Sequence, residues 1–331
     1  MSGSLRRLMG VCVGGVLLAS ALVLSISPAG SAQFPGANGR IGYSSVDFSG
    51  SSIHLINPDG SGDVQVVTGG RDASWNFGGT KMTYTTLGAT ENSVMIANGD
   101  GTGATVVYTA PSGFSVWYPT MSSDGSKIAF VQRNPGYTVF DLYVVNSDGT
   151  GLTNLTSGVY EGISFPQFSA DGTKVLFGGI APSEPQSLYA ATVSPAAVAL
   201  ISADKQYGTW MPDGTILAIQ MVAGSSTVFR MNADGSGVTT LFTSTGIGLP
   251  GPVMFPCPSP DGTTLVFTVP GEGPGTSAIW MSAIDGSGAR VIVPASGGFD
   301  QISPNWISGD VVPTPPTTSV EPDPTAPAFT G

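Results

Sequence analysis

Residues 259–267 read Ser259-Pro260-Asp261-Gly262-Thr263-Thr264-Leu265-Val266-Phe267. Asp-Gly ahead of a short apolar run is a hairpin signal, because glycine supplies positive φ at the turn and aspartate tolerates it. The stretch returns as Ser123-Asp124-Gly125-Ser126-Lys127-Ile128-Ala129-Phe130, with further copies centred on Asp171-Gly172, Asp213-Gly214 and Gly78-Gly79. Their second glycines stand at 79, 125, 172, 214 and 262, in steps of 46, 47, 42 and 48.

A second hairpin lies between these copies. It reads Ile53-His54-Leu55-Ile56-Asn57-Pro58-Asp59-Gly60-Ser61-Gly62, followed by Val64-Gln65-Val66-Val67. It recurs around Asp100-Gly101, Asp148-Gly149, Asp234-Gly235 and Asp285-Gly286, at intervals of 41, 48, 86 and 51. The long interval holds a degenerate copy, Leu188-Tyr189-Ala190-Ala191-Thr192, whose turn has become Val193-Ser194-Pro195. The copies number six.

Two hairpins per period of about 45 residues make four strands, the content of a propeller blade. The runs Ile128-Ala129-Phe130-Val131, Val175-Leu176-Phe177 and Leu265-Val266-Phe267 are apolar on both faces. A sheet with one wet face would alternate, whereas a sheet packed between two neighbours need not. The expected fold is therefore all-β, a six-bladed β-propeller of four-stranded antiparallel blades over residues 33–312. At its ends stand two half-copies, Asn38-Gly39-Arg40-Ile41-Gly42-Tyr43 and Pro304-Asn305-Trp306-Ile307. The N-terminal strand at 40–44 is expected to complete the last blade and close the ring, which removes exposed edges. Val311-Val312 is an alternative local partner, cut short by Pro313.

Composition agrees. Of 331 residues 47 are Gly and 26 are Pro, only 10% are charged and 41% are hydrophobic. Helical bundles and coiled coils are excluded by the Gly and Pro content, and a wholly disordered chain by the apolar content. Arg6-Arg7, the apolar run from Leu8 to Ile26 and the small residues up to Ala32 read as a signal peptide, residues 1–32, cut after Ala32. An uncleaved anchor is the alternative, since the run approaches the length that spans a bilayer. Without residues 1–32 the chain carries 9 basic against 22 acidic residues, a net charge of −13. That balance argues against nucleic acid and anionic membrane surfaces as partners. Cys257 would be the one remaining thiol, leaving no intramolecular disulfide. Residues 313–331 are Pro/Thr-rich and read as a disordered tail.

The repeated aromatic, Ser-Pro-Asp-Gly, strand ending in Phe and Asn-x-Asp-Gly-Ser-Gly resembles the TolB-type six-bladed propeller repeat. The fullest copies are Ser259-Pro260-Asp261-Gly262 with Phe267, and Asn232-Ala233-Asp234-Gly235-Ser236-Gly237; Phe34-Pro35-Gly36-Ala37-Asn38-Gly39-Arg40-Ile41 also looks like the start of stand-alone members. The resemblance covers residues 34–312 and implies an exported protein that works through protein–protein contacts. It differs from TolB in having no room for the N-terminal α/β domain, which puts membership of TolB's own envelope complex in doubt. Similar propellers cap prolyl peptidases, but no hydrolase domain follows here.

Catalytic constellations are sparse. His54 is the single histidine, so a Ser-His-Asp triad would have to use it, yet no G-x-S-x-G elbow exists. Histidine-based metal sites need more than one such ligand. Cys257, flanked by Pro256 and Pro258, reads as a buried small residue. The Asn-x-Asp-Gly turns at Asn57, Asn146 and Asn232 lack the acid that closes a calcium loop at its twelfth position. They read as hairpins using Asp for local backbone hydrogen bonds, and such turns take nine of the 22 acids. No metal and no cofactor are expected.

Both Asp-Gly turn sets fall at one end of the blades, so the opposite face carries the irregular connections, where function tends to sit. There the connections from each outer strand to the next inner strand bring Arg71, Asp72, Trp117, Tyr118, Tyr160, Glu161, Asp204, Lys205, Tyr207, Phe299 and Asp300 to the channel mouth. Aromatic residues among mixed charges suit a recognition surface, although about half of them could simply plug the ring, as expected of Trp75, Trp210 and Trp306. The leading expectation is an exported, monomeric, non-catalytic scaffold that binds an envelope or extracellular protein through this face. The alternative is a binding module for a small ligand or cell-wall saccharide at the channel mouth. A carboxylate-based hydrolase or lyase, with Glu161 facing Asp300 across the ring, falls under that alternative.

Overall fold

The computed structural model describes residues 36–308, apart from 48–49, 88–91, 274 and 296–297. The expected leader, 1–32, and the Pro/Thr-rich tail, 313–331, lie outside the described residues, as does the alternative partner strand at 311–312. Among the described residues no helix is long and apolar enough to cross a membrane.

Six four-stranded antiparallel sheets are arranged as the blades of a propeller. Blades 1 to 5 are continuous meanders whose innermost strands are Gly70–Trp75, Ser115–Met121, Gly162–Phe168, Gln206–Trp210 and Met254–Pro258. Blade 6 joins the two ends of the chain: Asp300–Ser308 is innermost and pairs antiparallel with Asn38–Val46, followed outward by Ser51–Ile56 and Val64–Thr68. The degenerate copy forms an ordinary hairpin, Ser187–Thr192 with Ala197–Ser202.

Neighbouring residues of the second strands serve different seams. Ile128 and Phe130 pack between blades 1 and 2, with Val94 and Met121. Ala129 and Val131, on the other face of the same strand, pack between blades 2 and 3 with Val175 and Phe177. Leu176 then faces the seam between blades 3 and 4. The pattern continues around the ring, so that each seam owns one apolar cluster. A strand side chain period of two therefore becomes continuous apolar sequence.

Trp75, Trp210 and Trp306 do not plug the ring. They wedge into the seams between blades 6 and 1, 3 and 4, and 5 and 6 respectively, each nearly fully buried. The Trp75 indole N–H donates to the Gly99 carbonyl at 2.9 Å, and that of Trp210 to the Gln167 carbonyl at 3.3 Å. Their size suits the space between splayed blades better than the narrow axis.

The Asp-Gly turns share one local solution. In all nine, the Asp Oδ1 accepts the backbone N–H two residues on, at 2.9–3.1 Å. Hydrogen bonds from nearby Ser and Thr hydroxyls, and then these backbone bonds, hold all nine carboxyls below their ordinary range. The turns also stitch blades together: Phe77 N–H donates to the Ser123 carbonyl at 3.0 Å, and Ser123 Oγ donates to the Ala170 carbonyl at 2.7 Å.

Gly42 tests the seam packing. A Cβ there would lie 2.3 Å from the buried Trp75 ring, whereas one at Gly50 would meet nothing within 4 Å. Gly42→Ala is expected to lower unfolding free energy by about 1–3 kcal/mol through overpacking. Gly50→Ala is expected to stay within about 0.5 kcal/mol of wild type. Equal denaturant midpoints for the two variants would refute the wedge.

Candidate functional site

Each innermost strand slips register against its neighbour, once in blades 1 to 5 and twice in blade 6. At one slip in each blade the innermost strand carries an extra residue. There one residue takes the left-handed conformation: Asp72 (φ 54°), Tyr118 (51°), Phe165 (49°), Tyr207 (51°), Phe255 (52°) and Ser303 (53°). A bulge of this kind inserts an extra residue and redirects its side chain. Positive φ is uncommon outside glycine, and for bulky residues it stores strain that surrounding structure must hold. Because it occurs in every blade, the bulge belongs to the scaffold. What varies is the side chain each blade contributes to the axial cavity, which all six residues line.

Four of the six are aromatic and close the axis. The Phe165 ring centroid lies 4.2 Å from that of Tyr118, 4.3 Å from Phe255 and 5.2 Å from Tyr207. Water-sized molecules can place their centres in about 60 Å³ of what is left. At about 10–15 Å³ per water this is room for roughly four to six.

The other two, Asp72 and Ser303, come from adjacent blades 1 and 6. Asp72 is 4% exposed and is the one carboxylate among the lining residues. Its Oδ2 accepts from Arg71 Nε at 3.2 Å, and its backbone N–H donates to Ser44 Oγ at 3.0 Å. Among the described residues, neither Asp72 Oδ1 nor Ser303 Oγ has a hydrogen-bond partner of normal geometry. Burial pushes the Asp72 carboxyl above its ordinary range, against the opposing pull of Arg71 and of the Tyr118 backbone N–H. Burial, with the Asp72 charge second, raises the Tyr118 phenol to about 12. Cys257 also lines the cavity; burial raises its thiol to about 11, and its Sγ accepts the Trp306 backbone N–H.

Outside the cavity, Arg71 and Trp117 begin a stack. The Arg71 guanidinium sits 4.4 Å from the Trp117 ring centroid, and Arg133 sits 5.1 Å from the same ring and 3.8 Å from that of Tyr137. Ser115 Oγ fixes the arrangement, accepting from Trp117 Nε1 at 3.0 Å and from Arg133 Nε at 3.2 Å. Tyr137 at the outer end is 62% exposed.

The remaining residues singled out from sequence lie apart from these two groups. The Tyr160 ring is buried in the seam between blades 2 and 3, edge-on to Phe177 and Tyr189. Glu161 is exposed. Lys205 is buried, pairing with Asp204 at 2.9 Å and lying over the Phe229 ring. Phe299 is half-buried, and Asp300 Oδ1 accepts the Ser277 N–H at 3.0 Å. Arg71, Asp72, Trp117, Tyr118, Tyr207 and Asp300 stand within innermost strands, not in the connections before them. Phe165, Phe255 and Ser303 escaped the sequence reading. Their signal was the following proline, shared with Tyr118: Tyr118-Pro119, Phe165-Pro166, Phe255-Pro256 and Ser303-Pro304.

His54 does sit between a serine and an aspartate. Its Nε2 is 2.9 Å from Ser52 Oγ and its Nδ1 is 3.2 Å from Asp63 Oδ1. Ser52, however, lies in a strand paired on both sides, with Ser45 and with Thr68. Its surrounding backbone N–H groups are committed to the sheet, and an oxyanion site needs donors that are free and converge. The Tyr43 ring stacks on His54 and its hydroxyl donates to the same Asp63, so the group reads as a polar ladder.

The raised Asp72 carboxyl has a consequence for stability. A group whose folded pKa lies above its unfolded value costs stability once pH passes the unfolded value, here 3.8, and costs most above the folded value. Asp72→Asn is therefore expected to melt above wild type at neutral pH, with the difference shrinking as pH falls toward 4. A variant melting below wild type at neutral pH would show that the Arg71 pair dominates.

Comparisons with known proteins agree with this architecture. The family model described as the TolB beta propeller domain matches residues 40–309. TolB from Acinetobacter baumannii is similar in structure, with 16% identity, a TM-score of 0.66 and coverage of 82% of this chain and 67% of that one. A chain of a nidogen/laminin complex is 9% identical with a TM-score of 0.59, covering 82% of this chain and 99% of that one. Oligogalacturonate lyase from Vibrio parahaemolyticus is 13% identical with a TM-score of 0.52, covering 76% and 74%. No curated protein matches the sequence. At such identities the structural likenesses speak for the fold, while the family model covers most of the chain: it belongs to the TolB β-propeller family.

Proposed function

We propose that this protein is an exported, non-catalytic propeller scaffold that binds another protein at the axial mouth. The observation that carries this reading is the half-exposed stack of Arg71, Trp117, Arg133 and Tyr137 beside a plugged axis. Interfaces concentrate binding energy in aromatic and arginine side chains held in fixed poses, because such groups bury much area and lose little freedom on binding. Here Ser115 and the stacking set the poses before any partner arrives. Export is supported by Arg6-Arg7, the apolar run to Ile26 and the small residues before Gln33. The absence of catalysis is supported by the engagement of Asp300 with backbone N–H groups and by the strand-bound setting of Ser52. The fold itself is neutral on this point, since it resembles both a lyase and a chain of a protein complex.

The test uses tagged protein lacking residues 1–32 as bait in envelope extract. Arg133→Glu and Tyr137→Ala, at the exposed end of the stack, are each expected to weaken recovery of the specific partner by about 30-fold, the usual effect of removing a hot-spot side chain. Both should melt with wild type. Undiminished recovery by the two variants would remove the stack from the interface.

A further inference from the structure

The axial cavity holds an unresolved charge. Asp72 is buried on the axis; Arg71 and the Tyr118 backbone N–H act on its carboxyl, yet its Oδ1 has no hydrogen-bond partner of normal geometry, and neither has the Ser303 hydroxyl of the adjacent blade. The scaffold does not require a carboxylate at that bulge, because the equivalent position holds Tyr118, Phe165, Tyr207, Phe255 and Ser303 in the other blades. Nor does Arg71 satisfy it, since its Nε reaches only Oδ2 while its guanidinium plane lies against Trp117. A buried carboxylate with an idle oxygen is a site short of a donor.

We propose that the axial cavity binds an organic ammonium group, with Asp72 as its counter-ion and Ser303 as a second acceptor. Three features of the lining select this chemistry. An ammonium carries donors for both idle oxygens. The rest of the lining includes four aromatic residues, Tyr118, Phe165, Tyr207 and Phe255, and aromatic rings attract a cation and shelter a short alkyl stem. The free space, about 60 Å³ for water-sized centres, fits a head group and a few methylenes. Anions are disfavoured by Asp72. Calcium and magnesium take six or more oxygen ligands, and the lining offers a single carboxylate. The ammonium comes either from a free small amine or from the lysine side chain of a peptide seated on the rim. The site does not rest on the reading of the rim as a protein interface.

The test is calorimetric titration of the protein with n-butylammonium, with n-butanol as its neutral counterpart, and with sodium at matched ionic strength. Saturable binding of n-butylammonium alone is expected. Asp72→Asn should weaken it by about 10- to 100-fold, the loss of one charged hydrogen-bonded pair. Ser303→Ala should weaken it less; Ser303→Ala should unfold with wild type, and Asp72→Asn should unfold cooperatively at or above the wild-type midpoint, so that lost binding is not lost folding. A capped Gly-Lys-Gly peptide and its norleucine analogue complete the series. Tighter binding of the lysine peptide than of n-butylammonium assigns the ammonium to a polypeptide, and the reverse order assigns it to a free amine. The proposal is overturned if n-butanol or sodium binds as well as n-butylammonium, if Asp72→Asn binds as well as wild type, or if no ammonium probe binds. Asp72 would then serve only to hold Arg71 against Trp117.

Discussion

Ile128 and Ala129 are adjacent in sequence and belong to the cores of different seams. In a strand, successive side chains point to opposite faces, and in this ring both faces of the middle strands are dry. No blade can bury its surface without a neighbour on each side. The ring must therefore close, and the pairing of Asp300–Ser308 with Asn38–Val46 lets the first and last parts of the chain share one blade. The same requirement accounts for the sparse charge, because strands without a wet face have nowhere to carry it. It also fixes the role of the tryptophans, which fill the wedge-shaped gaps that flat blades leave as they fan out from an axis.

With the strands committed to packing, variation is confined to the two ends of the ring. One end is regular, and its aspartates are absorbed into hairpins where each carboxylate accepts a backbone N–H two residues on. That is why the acidic balance of the chain says little about what it meets: much of the negative charge is turn chemistry. At the other end the pattern breaks, in the stack around Trp117 and in the six bulges of the inner strands.

The blade count was legible because Asp-Gly hairpins recur at nearly constant spacing and because a doubly buried strand shows as an unbroken apolar run, as in Val175-Leu176-Phe177. The channel was less legible, for a physical reason. A bulge shifts the alternation by one residue, so period-two reading cannot say whether Arg71 or Asp72 faces the axis. The bulge puts Asp72 inside and leaves Arg71 bridging outward. Tyr160 shows the complementary difficulty: topology gives its height in the blade, but the direction of its ring, into a seam, depends on the neighbouring blade. The partner of Trp117 was equally hidden, since Arg133 and Tyr137 come from the end of one strand and the turn after it, outside the connections that drew attention.

Arg71 joins the two irregular features. Its guanidinium donates inward to the Asp72 carboxylate and lies outward against the Trp117 ring. Asp72 is nearly fully buried, which makes a half-satisfied carboxylate costly and strengthens its hold on any cation within reach. The same carboxylate thus orients the first member of the exposed stack and belongs to a residue that lines the cavity. Arg71 is the side chain through which the interior of the ring meets its rim.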